Sequence, residues 1–86
     1  MNSKPVTAVD FYDSGCVHYR NGDYDKAIAD YTKAIELNPD YAEAYYNRGL
    51  AYSRKDEDDK SDADFKKFTE IIERRRKNHE NIKTYN

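Results

Sequence analysis

Apolar residues recur along this chain with the spacing of an α-helix. In the clearest stretch they are three or four positions apart, at Tyr24, Ala27, Ile28, Tyr31, Ala34 and Ile35. A period near 3.6 residues places them on one stripe of a helix, whereas a strand would alternate apolar and polar residues. The pattern therefore predicts an all-α fold.

Turn-forming residues divide the chain into four helices. Gly22 can adopt the positive φ that ends a helix, and Asp23 is suited to cap the next one. Pro39 cannot sit inside a helix, so the second helix should end near residue 37 or 38, and Asp40 is expected to cap the third. The expected helices span about 6–20, 24–37, 41–55 and 58 to beyond 76.

The chain contains an internal duplication with a period of 34 residues. Positions 8–37 aligned with 42–71 give ten identities in thirty, where unrelated sequences would give roughly two. The duplication predicts one domain over 1–86, with a first repeat at 8–41, a second at 42–75 and a C-terminal extension at 76–86. The identities include Tyr12/Tyr46, Gly15/Gly49, Arg20/Arg54 and Ala29/Ala63.

The duplicated unit resembles the tetratricopeptide repeat. The residues that carry the resemblance are Phe11, Gly15, Gly22, Tyr24, Ala27, Tyr31, Ala34 and Pro39 in the first copy, with Tyr45, Gly49, Tyr52 and Phe65 in the second. The resemblance implies two antiparallel helical hairpins of an α-solenoid. It also implies that the first helix of each hairpin lines a concave groove, which holds a peptide or helix of a partner protein.

The second copy departs from this pattern in its second helix. Asp56, Asp62 and Glu73 stand where the first copy has Gly22, Ile28 and Pro39. Loss of the proline removes the stop signal, so an elongated C-terminal helix is expected. Repeat arrays need a polar terminal face, and this helix is expected to serve as that cap. The alternative is that the helix frays beyond Lys77.

The leading functional hypothesis is a non-catalytic adaptor that binds a protein or peptide in the groove. Some of the groove tyrosines could instead pack between helices. The carboxylate clamp by which some family members bind chaperone tails is not expected, because only Asn47 matches it. The groove positions are Val9, Tyr12, Cys16, Tyr19 and Arg20 in the first copy and Tyr46, Asn47, Leu50 and Arg54 in the second, with Glu43 and Ser53 beside them.

A second hypothesis is self-assembly, as a homodimer or within a longer repeat array. The last helix carries an apolar stripe without a following hairpin to cover it, formed by Phe65, Phe68, Ile71 and Ile72. A third hypothesis assigns nucleic-acid contact to the basic run 74–77. A solvated helix end explains that run without any such partner, because basic residues favour a helix C-terminus.

Composition narrows the possible partners, the cellular location and the possible chemistry of the protein. The net charge of -2 attracts neither nucleic acid nor an anionic membrane. A lone Cys16 and a polar N-terminus without a signal peptide favour the cytoplasm, and no apolar run is long enough to cross a bilayer. His18, His79 and Cys16 do not share a helix face, so no enzyme activity, metal site or cofactor is expected.

Overall fold

Within residues 4–84, four α-helices form two consecutive hairpins, as the hydrophobic pattern predicts. The computed structural model describes the backbone of residues 4–84 and the side chains of residues 4–79. Helix α1 packs against α2 and α3 against α4, while α2 packs against α3 and α1 also touches α3. The predicted all-α class is confirmed. The helices are α1 Ala8–Arg20, α2 Tyr24–Leu37, α3 Ala42–Arg54 and α4 Asp58–Thr84.

The starts of α1 and α3 differ from the prediction, and α2 starts as predicted but without the expected side-chain cap. Helix α1 begins at Ala8 instead of residue 6, because Thr7 and Asp10 form a capping box in which each side chain accepts a hydrogen bond from the other residue's backbone N–H. Asp23 makes no side-chain cap. Helix α3 has Tyr41 as its N-cap, because the carboxylate of Asp40 instead accepts a hydrogen bond from Arg74.

The two hairpin turns have the same geometry although their sequences differ. Gly22 has a φ of 81° and the equivalent Asp56 has a φ of 61°. In both turns the next backbone N–H donates to a carbonyl five residues earlier, from Asp23 to His18 at 2.9 Å and from Glu57 to Tyr52 at 2.9 Å. Asp56 thus adopts the left-handed conformation that glycine adopts more readily.

Each hairpin closes by packing an aromatic ring against a glycine. A Cβ on Gly15 would lie 2.7 Å from the Tyr31 ring, and a Cβ on Gly49 would lie 2.8 Å from the Phe65 ring. The buried core between the hairpins contains Tyr31 together with small residues, Ala27, Ala34 and Ala44. Helices α1 and α3 lie side by side, in direct contact with each other.

The second hairpin keeps this packing despite its polar substitutions. Ser61 takes the place of Ala27, is buried, and donates from its hydroxyl to the carbonyl of Gly49 at 2.8 Å. Helix α4 continues to residue 84, as expected from the missing proline. The end of the predicted extension, at 85–86, lies outside the described residues.

Candidate functional site

A recess of about 200 Å³ lies between the first helices of the two hairpins. Helices α1 and α3 run in the same direction. Two hydrogen bonds show this: Asn47 in mid-α3 bonds to Tyr12, and Arg54 at the end of α3 bonds to Tyr19, which lies later in α1. They form the two walls of a shared groove, and α2 supplies one residue to its floor. The lining residues are Cys16, Tyr19, Arg20, Tyr31, Asn47 and Leu50.

Hydrogen bonds across three helices fix the floor of this recess. The Asn47 amide donates to the hydroxyl of Tyr12 at 2.9 Å and to the thiol sulfur of Cys16 at 3.6 Å. The Tyr31 hydroxyl also donates to the Cys16 sulfur, at 3.4 Å. Side chains from α1, α2 and α3 are therefore already oriented before a ligand arrives, which lowers the entropic cost of binding.

The two phenols of the floor carry no charge at neutral pH. Burial and, to a smaller extent, the neighbouring Cys16 together raise the pKa of Tyr12 to about 12. Burial likewise raises the pKa of Tyr31, with the same thiol contributing. Both phenols remain protonated, so the recess offers hydroxyl, amide and thiol groups beside the aliphatic surface of Leu50.

One end of the groove is basic. The Arg54 side chain donates from Nε to the Tyr19 hydroxyl at 3.3 Å, and this hydrogen bond raises the pKa of Arg54. Arg20, the last residue of α1, lines the recess and is exposed. Within residues 4–79, neither guanidinium has a carboxylate at salt-bridge distance.

The structure brings together most, but not all, of the residues assigned to the groove from the sequence. Arg54 borders the recess, and Tyr12 lies beneath it, stacked on Tyr41 with ring centroids 5.1 Å apart. Val9 is 56% exposed and is not a lining residue. The residues that line the recess as expected are Cys16, Tyr19, Arg20, Asn47 and Leu50.

Two tyrosines differ most from the expectation. Tyr46 does not line the recess; its ring packs against Phe65 and Phe68, with centroids 5.5 and 5.1 Å away. Tyr31 does line it, although the sequence pattern assigned Tyr31 only to the core stripe of α2. Phe65, at the equivalent position of the second repeat, lacks the hydroxyl that Tyr31 places at the groove floor. That difference between the repeats was the signal in the sequence that could have assigned Tyr31 to the groove.

Models of this repeat class match both copies. A model described as "TPR repeat" matches residues 15–56, and one described as "Tetratricopeptide repeat" matches residues 42–74. The chain belongs to the tetratricopeptide repeat family. Repeats of this family mediate protein–protein interaction or assembly, generally as non-catalytic scaffolds.

Solved tetratricopeptide repeat structures show the same arrangement. A structure titled "Crystal structure of MamA" is similar over 81% of this chain, with a TM-score of 0.79 and 38% identity. A second, titled "Crystal structure of MamA protein", has a TM-score of 0.74 and 38% identity over the same share. This chain spans 41% and 38% of those two chains. No curated protein matches the sequence.

The apolar stripe of α4 is more covered than the sequence suggested. Ile71 is 1% exposed, so it cannot supply a self-association contact. Phe65 packs under Gly49 and beside Tyr46. What remains accessible is a smaller patch, which we call the α4 face: Tyr46 at 43% exposure and Ile72 at 38%, with the half-buried Phe68 between α3 and α4.

The basic run at 74–77 makes contacts within the chain. Arg74 donates to the carboxylate of Asp40 and Arg75 to its carbonyl, both at 3.2 Å. Arg76 donates to Glu73 at 2.7 Å. In this tetratricopeptide domain the bonds of Arg74 and Arg75 attach α4 to the turn before α3, whereas the Arg76 bond lies within α4.

Candidate ligands for catalysis or metal binding do not converge. The half-buried His18 lies 3.6 Å from Asp30, away from the groove. In the described part of the chain, no three His, Cys, Asp or Glu residues are placed to hold a metal ion. No helix among the described residues is long and apolar enough to span a bilayer.

Proposed function

We propose that this chain is a non-catalytic adaptor that holds a segment of a partner protein in the groove between α1 and α3. The observation that carries the proposal is the recess between these helices, whose floor is held by bonds among Tyr12, Cys16, Tyr31 and Asn47. A concave site with a mainly apolar surface and a few fixed polar groups suits a side chain of a bound peptide.

The chemistry of the recess favours an aliphatic anchor. Leu50 and the Tyr19 ring offer apolar contact, and the rigid tyrosines provide surface at low entropic cost. The Asn47 amide and Cys16 sulfur are engaged with each other, so they orient the floor while the ligand contributes buried apolar area. An amphipathic helix or extended segment binds such grooves through a few anchoring side chains.

Differential capture from a cell extract tests this function. The Leu50→Glu variant places a charge in the recess and should lose the proteins that the parent chain retains, because burying an unpaired carboxylate is strongly unfavourable. Val17→Glu is the matched control, since Val17 is 45% exposed and does not line the recess. Circular dichroism checks that both variants remain helical.

The comparison has a clear negative outcome. If Leu50→Glu and Val17→Glu retain the same proteins as the parent chain, the groove is not the binding surface. Loss of capture in both variants would also count against the groove, because Val17 lies outside it.

Self-assembly through the α4 face is a second candidate function. In the first repeat the ring of Tyr12 is covered by Tyr41 at the start of α3. At the equivalent position Tyr46 packs on Phe65 and Phe68 of α4 and stays 43% exposed, and no described helix takes the place that α3 has over Tyr12. A second copy could bury this patch.

Light scattering over a concentration series tests self-assembly. Association through the α4 face predicts a mass that rises with concentration in the parent chain and falls to that of a monomer in Ile72→Lys. A monomer mass throughout the series would contradict it. An unchanged oligomer in Ile72→Lys would assign assembly to another surface.

A further inference from the structure

The groove has opposite charges at its two ends. Arg20 and Arg54 are the last residues of α1 and α3, and both lie at the Tyr19 end. Asp13 in α1 and Glu43 in the first turn of α3 lie toward the other end. Because the helices run in the same direction, the two basic residues share one end and the two acidic residues share the other.

Tyr41 locates the acidic end. Its ring stacks on Tyr12 at the edge of the groove floor. Burial raises the pKa of Tyr41, and the negative charges of Asp13 and Glu43 raise it further. Asp13 directly follows Tyr12, and Glu43 lies two residues after Tyr41, so both carboxylates lie on the side of the recess opposite the guanidinium groups.

These four groove charges are available to an incoming chain. None of them has an oppositely charged side chain at salt-bridge distance within residues 4–79. The four residues are also exposed. Arg54 donates a hydrogen bond to the neutral Tyr19 hydroxyl, which leaves its charge without a counter-ion. A ligand of complementary charge therefore gains attraction without breaking an internal ion pair.

The helix rise sets the distance between the two ends. Seven residues separate Asp13 from Arg20 and eleven separate Glu43 from Arg54, which corresponds to about 10 and 16 Å along a helix axis. The recess lies between them, since Cys16 is on α1 and Leu50 on α3 within these intervals.

We propose that the groove selects a partner segment that is acidic at one end, basic at the other and aliphatic between them, with its acidic end at Arg20 and Arg54. This rests on the proposed groove function. The opposite charges of the segment are separated by about seven to eleven residues if it binds as a helix, and by about three to five if it binds extended.

A random 12-residue peptide library displayed on phage tests the charge order. The parent chain should enrich peptides with acidic and basic residues at opposite ends and an aliphatic residue between. The Arg20→Glu/Arg54→Glu variant should instead enrich peptides with basic residues at both ends. Lys26→Glu/Lys66→Glu is the matched control, because it makes the same change in charge on α2 and α4 and should select the same peptides as the parent chain.

Fluorescence anisotropy of one synthetic enriched peptide measures how much the charge reversal weakens binding. Reversing both arginines should weaken its binding at least about fivefold, since each exposed ion pair contributes modestly. The difference should shrink as salt is added. The control variant should bind the peptide within about twofold of the parent chain.

The outcomes separate the two proposals. The charge selection would be overturned by enriched peptides that require Leu50 but show no charge order. It would also be overturned if these peptides bound Arg20→Glu/Arg54→Glu as tightly as the parent chain. Either result would leave the groove function intact. A library that yields no peptide sensitive to Leu50→Glu would overturn both.

Discussion

The guanidinium group of Arg48 forms a bidentate hydrogen-bonded ion pair with the carboxylate of Asp64. Nε donates to one oxygen at 2.8 Å and Nη2 to the other at 2.7 Å. Nη1 donates to the Thr32 hydroxyl at 3.1 Å. The side chains of Arg48 and Asp64 are only 17% and 6% exposed. One arginine of α3 therefore joins α2 and α4, and with them the two repeats.

Removal of one member of this pair should destabilise the fold strongly. Asp64→Ala leaves the guanidinium buried without its counter-ion, so we expect a loss of about 3 kcal/mol in the free energy of unfolding. Urea denaturation followed by circular dichroism measures it. The exposed pair of Lys33 and Glu36 is the control, and Glu36→Ala should change the same quantity by less than about 0.5 kcal/mol.

The double variant Arg48→Met/Asp64→Leu separates the cost of an unpaired charge from the loss of the pair itself. Apolar replacements leave no buried charge, so this variant should be more stable than Asp64→Ala. A loss below about 1 kcal/mol in Asp64→Ala would contradict the structural role assigned to the pair.

Gly49→Ala should destabilise the second hairpin even though alanine favours helices. At an open helix position the change would gain about 0.5–1 kcal/mol. Here the new Cβ would lie 2.8 Å from the Phe65 ring, and we expect a net loss of about 1–3 kcal/mol by urea denaturation. Phe65→Leu provides room, so the loss caused by Gly49→Ala should be smaller in its presence.

Asp56→Gly should stabilise the turn between α3 and α4. Asp56 has a φ of 61°, a conformation that glycine adopts without steric penalty. We expect a gain of about 0.5–1 kcal/mol in thermal or urea unfolding. Gly22→Asp is the reciprocal control at the equivalent turn and should lose stability. A loss on Asp56→Gly would show that the carboxylate has a stabilising role beyond the turn.

Alkaline pH should unfold the protein through its buried phenols. The pKa of Tyr12 rises from 10.0 to about 12 on folding, so the folded state holds the phenolic proton more tightly. The corresponding stability is complete below about pH 10 and is lost as the pH rises toward 12. Urea denaturation over this range should show a shallower decline for Tyr12→Phe. The same steepness in both proteins would contradict the burial of this hydroxyl.

Periodicity and duplication were sufficient to predict the helical hairpins. The 34-residue shift aligns Gly22 with Asp56, and this alignment implies the shared turn conformation that both residues adopt. The cap positions were less predictable. Thr7 and Arg74 decide where α1 and α3 begin by forming bonds with Asp10 and Asp40, and these contacts depend on side-chain geometry outside the repeat pattern.

The groove could be predicted only in part, because a helical pattern gives the face of a residue but not its partners on other helices. It assigned Cys16 and Leu50 to the groove, and both line the recess. It could not show that Tyr31 reaches the floor from α2, nor that Tyr46 turns toward Phe68. The Arg48–Asp64 pair was not predicted, because the equivalent residues of the first repeat are Ser14 and Asp30, which form a hydrogen bond and not an ion pair.

Residue-resolved NMR titration of the isotopically labelled chain with an enriched peptide is the most direct test of groove binding. We expect the largest amide shifts in α1 and α3, at Cys16, Arg20 and Leu50, and we expect Leu50→Glu to abolish them. Shifts confined to the α4 face at Tyr46, Phe68 and Ile72, with the groove amides unchanged, would contradict it.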